Sequence, residues 1–318
     1  MSLLAAPRTP QRPGPGPTPE VLIRALDLSV GRRIRGLVPG EYRASDLGGC
    51  LELAQVRPYE PGDDVRRIDW NVTARTTIPH VRVFVPERAL TTWLLLDVSP
   101  SMTFGTADRR KADVAEGVAI AVGHLATQRG NRLGLFTFGG GSDRRLPPTA
   151  GRLGLLASLV AARAAGDAAL PAEHAVAVTP AGAVATPAEA LTFVTGVPPR
   201  GGLLVLVSDL RGPRDWQAPL AAVAAKHHVL VVEIRDPRED VLPDVGDLTL
   251  VDGETGREVR VNTSSRQLRE RFAAAAADER AGLETTLRRL GVDHVVLSTS
   301  GNWLLTLATR LRILGRAA

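Results

Sequence analysis

The sequence predicts an α/β fold in which a doubly wound, mostly parallel sheet follows a small β-rich region. The first observation is that short apolar runs alternate with helical patterns from Thr91 onward. The second is that two of these runs end abruptly in a carboxylate, at Asp97 and at Asp209. The third is length, because 318 residues can bury a core that needs no disulfide. Ligands bind at the carboxyl ends of the strands in such sheets, so the two acids mark where a site is expected.

Composition excludes several classes of protein. Cys50 is the only cysteine, so a disulfide within the chain and a cysteine-based zinc site are impossible, and a reducing compartment is favoured. Apart from Lys111 and Lys226, the basic residues are arginines interleaved with acids, which argues against a nucleic-acid surface despite the net charge of +5. No apolar stretch reaches the ~18 residues of a membrane span, and no signal peptide is evident. A cytoplasmic protein is therefore expected.

The chain is predicted to contain three regions. Residues 1–19 carry six prolines among glycines and polar residues, a composition typical of a disordered tail. Residues 20–90 form a small β-rich region, in which 20–28 has helical spacing and the remainder consists of short alternating segments and turns. Residues 91–318 form the main domain, with a hairpin predicted near 246–262 around an Asp-Gly turn.

The densest cluster of charges in the β-rich region lies between Arg57 and Trp70. One hypothesis is a second carboxylate site formed by Asp63, Asp64 and Asp69. The other is a tight turn whose acids pair with arginines beside a packed Trp70. We favour the turn, because a metal site is rarely ringed by so many cations. The arginines concerned are Arg57, Arg66, Arg67 and Arg75.

Five strands and six helices are predicted in the main domain. The strands are short apolar runs at residues 93–96, 133–138, 203–207, 229–234 and 292–297. The helices have apolar residues spaced by three and four, at residues 108–129, 152–164, 187–195, 214–226, 266–290 and 303–314. The glycine-rich residues 139–142 lack the lysine of a phosphate-binding loop at the required spacing, and a turn is predicted there.

The main candidate site lies where the first strand of the sheet ends. Asp97 is followed by the hydroxyls of Ser99 and Ser101, so this loop offers oxygen ligands alone. Such ligands suit a hard cation such as Mg²⁺, which takes about six of them, more than one loop can supply. Asp209 ends another apolar run at the same edge of the predicted sheet. Thr186 opens a predicted helix, where its hydroxyl could cap the helix, reach the metal, or do both.

The order Asp-x-Ser-x-Ser, then Thr, then Asp resembles the metal-ion-dependent adhesion site (MIDAS) of von Willebrand factor A-like domains. Together with the Pro-Gly-Asp-Asp-x-Arg-x-Ile-Asp-Trp run that ends at Trp70, it makes about residues 40–318 similar to DUF58, a large bacterial family of uncharacterised function. The resemblance implies a metal site completed by an acidic side chain of a partner. The residues implied to hold Mg²⁺ or Mn²⁺, the acids partly through water, are Asp97, Ser99, Ser101, Thr186 and Asp209.

The resemblance also implies a partner protein. Genes of this family commonly neighbour those of MoxR-type AAA+ ATPases, which implies an adaptor or chaperone role in assembling or activating client proteins. The chain has no Walker-type loop, so any ATPase is expected to act in trans. The expected function is therefore that of an interaction module and not of an enzyme.

The sequence departs from the family pattern in two places. A Gly-Gly pair usually precedes the threonine, whereas Ala183, Val184 and Ala185 precede Thr186, so Thr179 competes for the same role. Many relatives carry membrane helices near the N-terminus, where this chain has its proline-rich tail.

Three alternatives to the metal-dependent interaction module follow from the residues. The loop from Asp97 to Ser101 could cap a helix without binding metal. A metal-dependent hydrolase could use the same carboxylates with an activated water, although none of the six histidines accompanies these loops in an acid or base role. A domain without metal could instead bind its partner through the face between Asp63 and Trp70.

Overall fold

The chain divides into two compact units. A computed structural model describes residues 14, 16, 51–86, 91–126, 131–140, 143–150, 176–177, 184–197, 202–251 and 257–314. One unit comprises Pro39–Ala89, and the other comprises Met1–Val38 together with Leu90–Ala318. Cys50, Thr179, the predicted helices at 20–28 and 152–164, and the predicted tail apart from residues 14 and 16 lie outside the described residues.

The smaller unit contains two antiparallel strands and a short helix. The strands are β1 (Leu51–Pro58) and β2 (His80–Pro86), which pair along their length. The helix α1 (Trp70–Thr76) lies between them in the chain, after a 3₁₀ turn at Val65–Arg67. Residues 51–86, the described part of the region predicted to be β-rich, thus contain two strands, whereas α1 is not predicted by the sequence.

The larger unit is built on a seven-stranded sheet. Its strands are β3 (Thr91–Asp97), β4 (Arg132–Phe138), β5 (Arg144–Ala150), β6 (Val176–Ala177), β7 (Leu203–Ser208), β8 (His228–Arg235) and β11 (Asp293–Ser298). Two further strands, β9 (Asp247–Val251) and β10 (Glu258–Asn262), form a separate antiparallel pair. The order in the sheet is β11-β8-β7-β3-β4-β5-β6. The pairs from β11 to β4 are parallel, and those from β4 to β6 are antiparallel. The predicted doubly wound, mostly parallel sheet is confirmed.

Helices cover both faces of this sheet. They are α2 (Lys111–Ala126), α3 (Pro187–Thr195), α4 (Gln217–Ala224), α5 (Arg266–Arg289) and α6 (Trp303–Leu314). Successive side chains of a strand point to opposite faces, so Leu94 and Leu96 pack in the core with α2 and α6, and Trp93 and Leu95 pack with α3, α4 and α5. Both faces of β3 are buried, which explains its continuous apolar run. None of the described helices is both long and apolar enough to cross a membrane.

The predicted elements agree with the structure where the apolar pattern is strong. All five predicted strands are present, and α3 begins and ends at the predicted residues. Helix α2 begins at Lys111, later than predicted. Strand β5 is not predicted because it contains Pro147 and Pro148, which disfavour pairing. The prolines lie where the register of the β4–β5 pairing shifts, between the pairs Leu133–Thr149 and Leu135–Leu146, and the described residues of β6 pair with β5 at Arg144 and Arg145.

Candidate functional site

Two carboxylates lie at the carboxyl ends of the two central strands. β3 and β7 pair in parallel with Leu96 opposite Val207, so Asp97 comes next to Ser208, and Asp209 follows at once. Asp97 is 6% exposed and Asp209 is 5% exposed. After β3 the chain continues to β4, and after β7 it continues to β8, so the two connections run in opposite directions across the strand order. The carboxyl ends of β3 and β7 therefore mark the topological switch point of the sheet. The structure thus brings the two predicted acids to one edge.

The loop after β3 presents two hydroxyls beside Asp97. The backbone N–H of Ser99 donates to Oδ1 of Asp97 over 2.9 Å, so the loop folds back onto the carboxylate. Oγ of Ser99 and Oγ of Ser101 are 3.0 Å apart. Ser99 precedes the 3₁₀ turn Pro100–Thr103, but its side chain makes no capping hydrogen bond there. The two hydroxyls therefore contact each other beside Asp97 instead of capping the turn.

Asp97 accepts hydrogen bonds from neutral groups. Oγ of Ser208 donates to Oδ2 of Asp97 over 2.5 Å, in addition to the bond from the N–H of Ser99. Burial, and after it the negative charge of Asp209, raise the pKa of Asp97 to about 6, and the hydrogen bonds offset this only in part. Within the described part of the chain, no basic side chain pairs with Asp97. A bound cation would stabilise the ionised form and lower this pKa.

Asp209 has a counter-ion inside the protein. Nζ of Lys111 lies 2.6 Å from Oδ2 of Asp209 and 2.7 Å from Oε1 of Glu239, and the lysine is fully buried. The backbone N–H of Arg211 donates to Oδ1 of Asp209 over 3.1 Å. Burial acts to raise the pKa of Asp209, but the Lys111 ammonium and the hydrogen bonds outweigh it, so this pKa lies below its usual value. Asp209 is therefore ionised and paired.

Thr186 caps helix α3. Its Oγ1 accepts the backbone N–H of Glu189 over 3.2 Å, and Oε2 of Glu189 accepts the backbone N–H of Thr186 over 2.9 Å, which completes a capping box. The threonine is exposed. A hydroxyl that accepts one hydrogen bond keeps its own proton and a second lone pair. The cap therefore leaves the oxygen of Thr186 able to bind a further group.

Gly139 contacts both the loop before Thr186 and the loop after β3 that contains Ser99 and Ser101, called the serine loop below. The backbone N–H of Gly139 donates to the carbonyl of Ala185 over 3.0 Å. The φ angle of Gly139 is +87°, and a Cβ at this position would lie 2.8 Å from Cβ of Ser99. The buried carboxylate of Asp143 accepts the N–H of Ala185 over 2.8 Å and fixes the same turn. The loops that follow β3 and β4 and the loop that precedes α3 therefore adjoin at one edge.

The oxygen atoms collected at this edge are of the kind that a hard cation prefers. Asp97 and Asp209 supply carboxylates, Ser99 and Ser101 supply hydroxyls, and a hydrogen bond from Ser101 to Asp209 connects the two strand ends. No three His, Cys, Asp or Glu side chains cluster as a metal site anywhere in the described ranges. A cation here would thus depend on hydroxyls as well as on the two acids. This donor set fits Mg²⁺ or Mn²⁺.

The acidic segment of the smaller unit forms the predicted turn. Nη2 of Arg57 lies 2.7 Å from Oδ1 of Asp63. Asp64 accepts the backbone N–H of Arg66 over 3.0 Å and lies 3.8 Å from Nε of Arg67. Each of these two acids is thus engaged within its own segment.

The predicted packing of Trp70 is wrong. Trp70 is 70% exposed at the first position of α1. The residue before it, Asp69, is buried and caps the helix by accepting the backbone N–H groups of Asn71 and Val72 over 3.0 and 3.2 Å. Because the cap fixes the backbone while the first helical position faces outward, the indole ring is held in solvent.

Several residues of the main site are not evident from the sequence. Lys111 contacts Asp209, Ser208 contacts Asp97 and Gly139 contacts Ser99, whereas Glu239 contacts Lys111. The sequence does single out Lys111 in one respect, because only two of the 39 lysines and arginines in the chain are lysines. For the other three, residue type and spacing give no indication of a role.

The chain resembles several mycobacterial proteins. An uncharacterised protein of Mycobacterium tuberculosis is 40% identical over 290 residues, which cover 89% of this chain and 85% of that protein. An uncharacterised protein of Mycobacterium avium is 47% identical over 105 residues, or 33% of this chain and 62% of that protein.

The solved structures similar to this chain include von Willebrand factor A domains. The conserved hypothetical protein BatB from Bacteroides thetaiotaomicron aligns over 71% of this chain and 99% of its own, with 13% identity and a TM-score of 0.43. The SpRpn10 VWA domain aligns over 70% of this chain and 94% of its own, with 14% identity and a TM-score of 0.35. The family described as "Protein of unknown function DUF58" matches residues 55–282. The chain therefore belongs to the DUF58 family.

Proposed function

We propose that this chain is a protein-interaction module that binds Mg²⁺ or Mn²⁺ at the edge formed by Asp97 and Asp209. The observation that carries the proposal is a pair of buried acids at adjacent strand ends, with the hydroxyls of Ser99 and Ser101 3.0 Å apart beside them. Oxygen ligands of this kind, held in a buried edge, favour a hard divalent cation. The metal, when bound, would supply an open coordination position for a carboxylate oxygen of a partner protein.

Each residue of the edge has a distinct part in this proposal. Asp97 supplies the charge that no basic side chain compensates in the described part of the chain, and Ser99 and Ser101 supply neutral oxygens. Asp209 contributes through Ser101, because its own oxygens already accept donors from Lys111 and a backbone amide. Thr186 adds an exposed hydroxyl from the adjoining loop.

The chemistry of the edge favours binding over hydrolysis. The histidines described in the larger unit lie on α2 and near the amino ends of β8 and β11, at His124, His227, His228 and His294. The contacts described at the carboxyl edge involve carboxylates, hydroxyls, one lysine and backbone groups. This set can hold a cation and a ligand, and among the described residues it includes no imidazole to exchange protons with a substrate.

The partner we propose is a MoxR-type AAA+ ATPase or its client protein. Membership of the DUF58 family supports this choice through the gene neighbourhood of the family, and the absence of a Walker-type loop in the chain makes an ATPase in trans necessary for any ATP-driven step. The chain would then act as the adaptor that presents or activates the client.

The test is a binding assay with the purified MoxR-type ATPase of the same organism. We expect binding in Mg²⁺, loss of binding in EDTA, and at least about tenfold weaker binding of Asp97→Asn, since the loss of one charge-assisted contact amounts to about 1.4 kcal/mol or more. Asp215→Asn is the matched control, because Asp215 is exposed on the same unit. Equal binding in EDTA and by Asp97→Asn would refute the metal, and no binding under any condition would refute this partner.

A further inference from the structure

A buried lysine lies beside the proposed cation site. Lys111 is the first residue of α2, is 0% exposed, and has Asp209 and Glu239 within 2.7 Å of its Nζ atom. The ring of Phe104 lies on a further side, with its centroid 5.9 Å from Nζ. An ammonium group in such a place is strongly unfavourable unless acids pair with it. The carboxylates of Asp209 and Glu239 provide this pairing for the Lys111 ammonium.

The lysine changes the charge that the edge presents. Asp97, Asp209 and Glu239 are negative, whereas Lys111 is positive, and so is Arg211, whose Nε lies 3.4 Å from Oε1 of Glu239. These five groups give a net charge of −1, from three acids and two bases. A divalent cation added to them gives +1, so the occupied site attracts an anion.

We infer that Lys111 and Glu239 set the charge of the cation site, Lys111 by neutralising Asp209 and Glu239 by holding the lysine in place. Asp97 is then the acid that meets the cation with an uncompensated charge. Two consequences follow for the wild-type protein: it binds the free cation weakly, and the occupied site keeps a positive charge that selects a carboxylate ligand. This inference rests on the proposed function and adds the residues that determine the specificity of the site.

The test measures Mg²⁺ alone binding to the full chain by calorimetry, in the wild type and in two variants of opposite charge. Lys111→Gln removes the positive charge and keeps a side chain that donates hydrogen bonds. Glu239→Gln removes a negative charge and keeps the lysine. At charge separations of a few ångström, each change is expected to alter the dissociation constant by about tenfold or more, toward tighter binding in Lys111→Gln and weaker binding in Glu239→Gln.

The other lysine of the chain provides the control. Nζ of Lys226 donates to the carbonyl of Thr195 over 3.2 Å, at the end of α3, and its substitution Lys226→Gln makes the same change of charge. We expect this variant to bind Mg²⁺ as the wild type does. Thermal melts in Mg²⁺ and in EDTA give a second measurement, in which Mg²⁺ raises the melting temperature of Lys111→Gln more than that of the wild type.

The outcomes separate the inference from the proposed function. Tighter binding in Lys111→Gln together with weaker binding in Glu239→Gln supports the inference, and equal affinities, shifts in the same direction or the reversed pair of shifts overturn it. If Lys111→Gln does not fold, the weaker binding expected of Glu239→Gln decides. If the wild type binds no Mg²⁺, the metal part of the proposed function is refuted. Binding of Mg²⁺ by Lys111→Gln would in that case still support the role of the lysine, and no binding by either protein would overturn the inference.

Discussion

The Ser208 hydroxyl donates a 2.5 Å hydrogen bond to Oδ2 of Asp97, and in turn accepts the backbone N–H of Leu210 over 2.9 Å. These two bonds tie the end of β7 to the end of β3. They orient the Asp97 carboxylate so that its other oxygen faces the serine loop. Under the proposed function, little reorganisation of this side chain would be needed to bind a cation.

Mg²⁺ is expected to stabilise the wild type and not Asp97→Asn. With about 10 mM Mg²⁺ and a dissociation constant of about 1 mM, linkage predicts ~1.4 kcal/mol of stabilisation, or about 2 to 4 °C in Tm. Thermal melts in Mg²⁺ and in EDTA measure the shift, with Asp215→Asn as the control that keeps it. An equal shift in Asp97→Asn would show that the ion binds elsewhere.

The stability of the wild type relative to Asp97→Asn should rise as the pH falls from about 6 to about 4 in EDTA. The pKa of Asp97 is raised to about 6 in the folded protein, whereas the unfolded chain has the ordinary value near 3.9. The folded state therefore binds more protons in this window, and the two-unit difference amounts to roughly 3 kcal/mol at full effect. Urea denaturation of both proteins across this range measures it, and a constant difference would contradict the raised pKa.

Gly139→Ala should disturb the serine loop. A Cβ there would lie 2.8 Å from Cβ of Ser99, at a φ of +87° that alanine rarely adopts. Gly212→Ala is the matched control, because Gly212 also has a positive φ but has no atom within 4 Å of the added Cβ. We expect Gly139→Ala to cost about 1 kcal/mol more than Gly212→Ala, and to lose the Mg²⁺-dependent shift in Tm. Equal costs would show that the clash is relieved.

Trp70 should be the tryptophan that acrylamide quenches. It is 70% exposed, whereas Trp93, Trp216 and Trp303 are buried. Trp70→Phe is expected to remove most of the quenchable fluorescence and, as a surface change, to alter the free energy of unfolding by less than about 0.5 kcal/mol. Unchanged quenching, or a large loss of stability, would place the indole in a packed position.

Asp69→Ala should loosen the start of α1. Its carboxylate accepts the N–H groups of Asn71 and Val72, and loss of such a cap costs about 1 kcal/mol. Hydrogen exchange at these two amides is expected to become severalfold faster in Asp69→Ala. Asp69→Asn is the control, since asparagine also caps helices and should retain most of the protection. Equal exchange in the wild type and Asp69→Ala would exclude the cap.

The strand ends were predictable because burial on both faces of a parallel sheet demands continuous apolar runs. Asp97 and Asp209 interrupt such runs, and the order of the strands places them together. The site completed by Lys111 was not predictable, because its two acids lie 98 and 128 residues away in the chain. Such contacts follow from packing, which leaves no local pattern.

The smaller unit shows the limit of local patterns in another way. Hydrophobicity favoured a packed Trp70, but its position beside the capping Asp69 directs it outward. Helix α1 escaped prediction because it is seven residues long and contains Val72, Thr73 and Thr76, which are weak helix formers. In so short a helix, the cap and the neighbouring strand matter more than propensity.

The pairing of β3 with β7 also bears on how the protein is made. Asp97 and Ser208 are 111 residues apart, so a nascent chain carries the serine loop long before the strand that completes the edge has left the ribosome. A truncated product that stops before β7 would retain Asp97 without Ser208 or Asp209 beside it. Under the proposed function, such a product would not engage the partner, and binding would occur only after synthesis of the central sheet is finished.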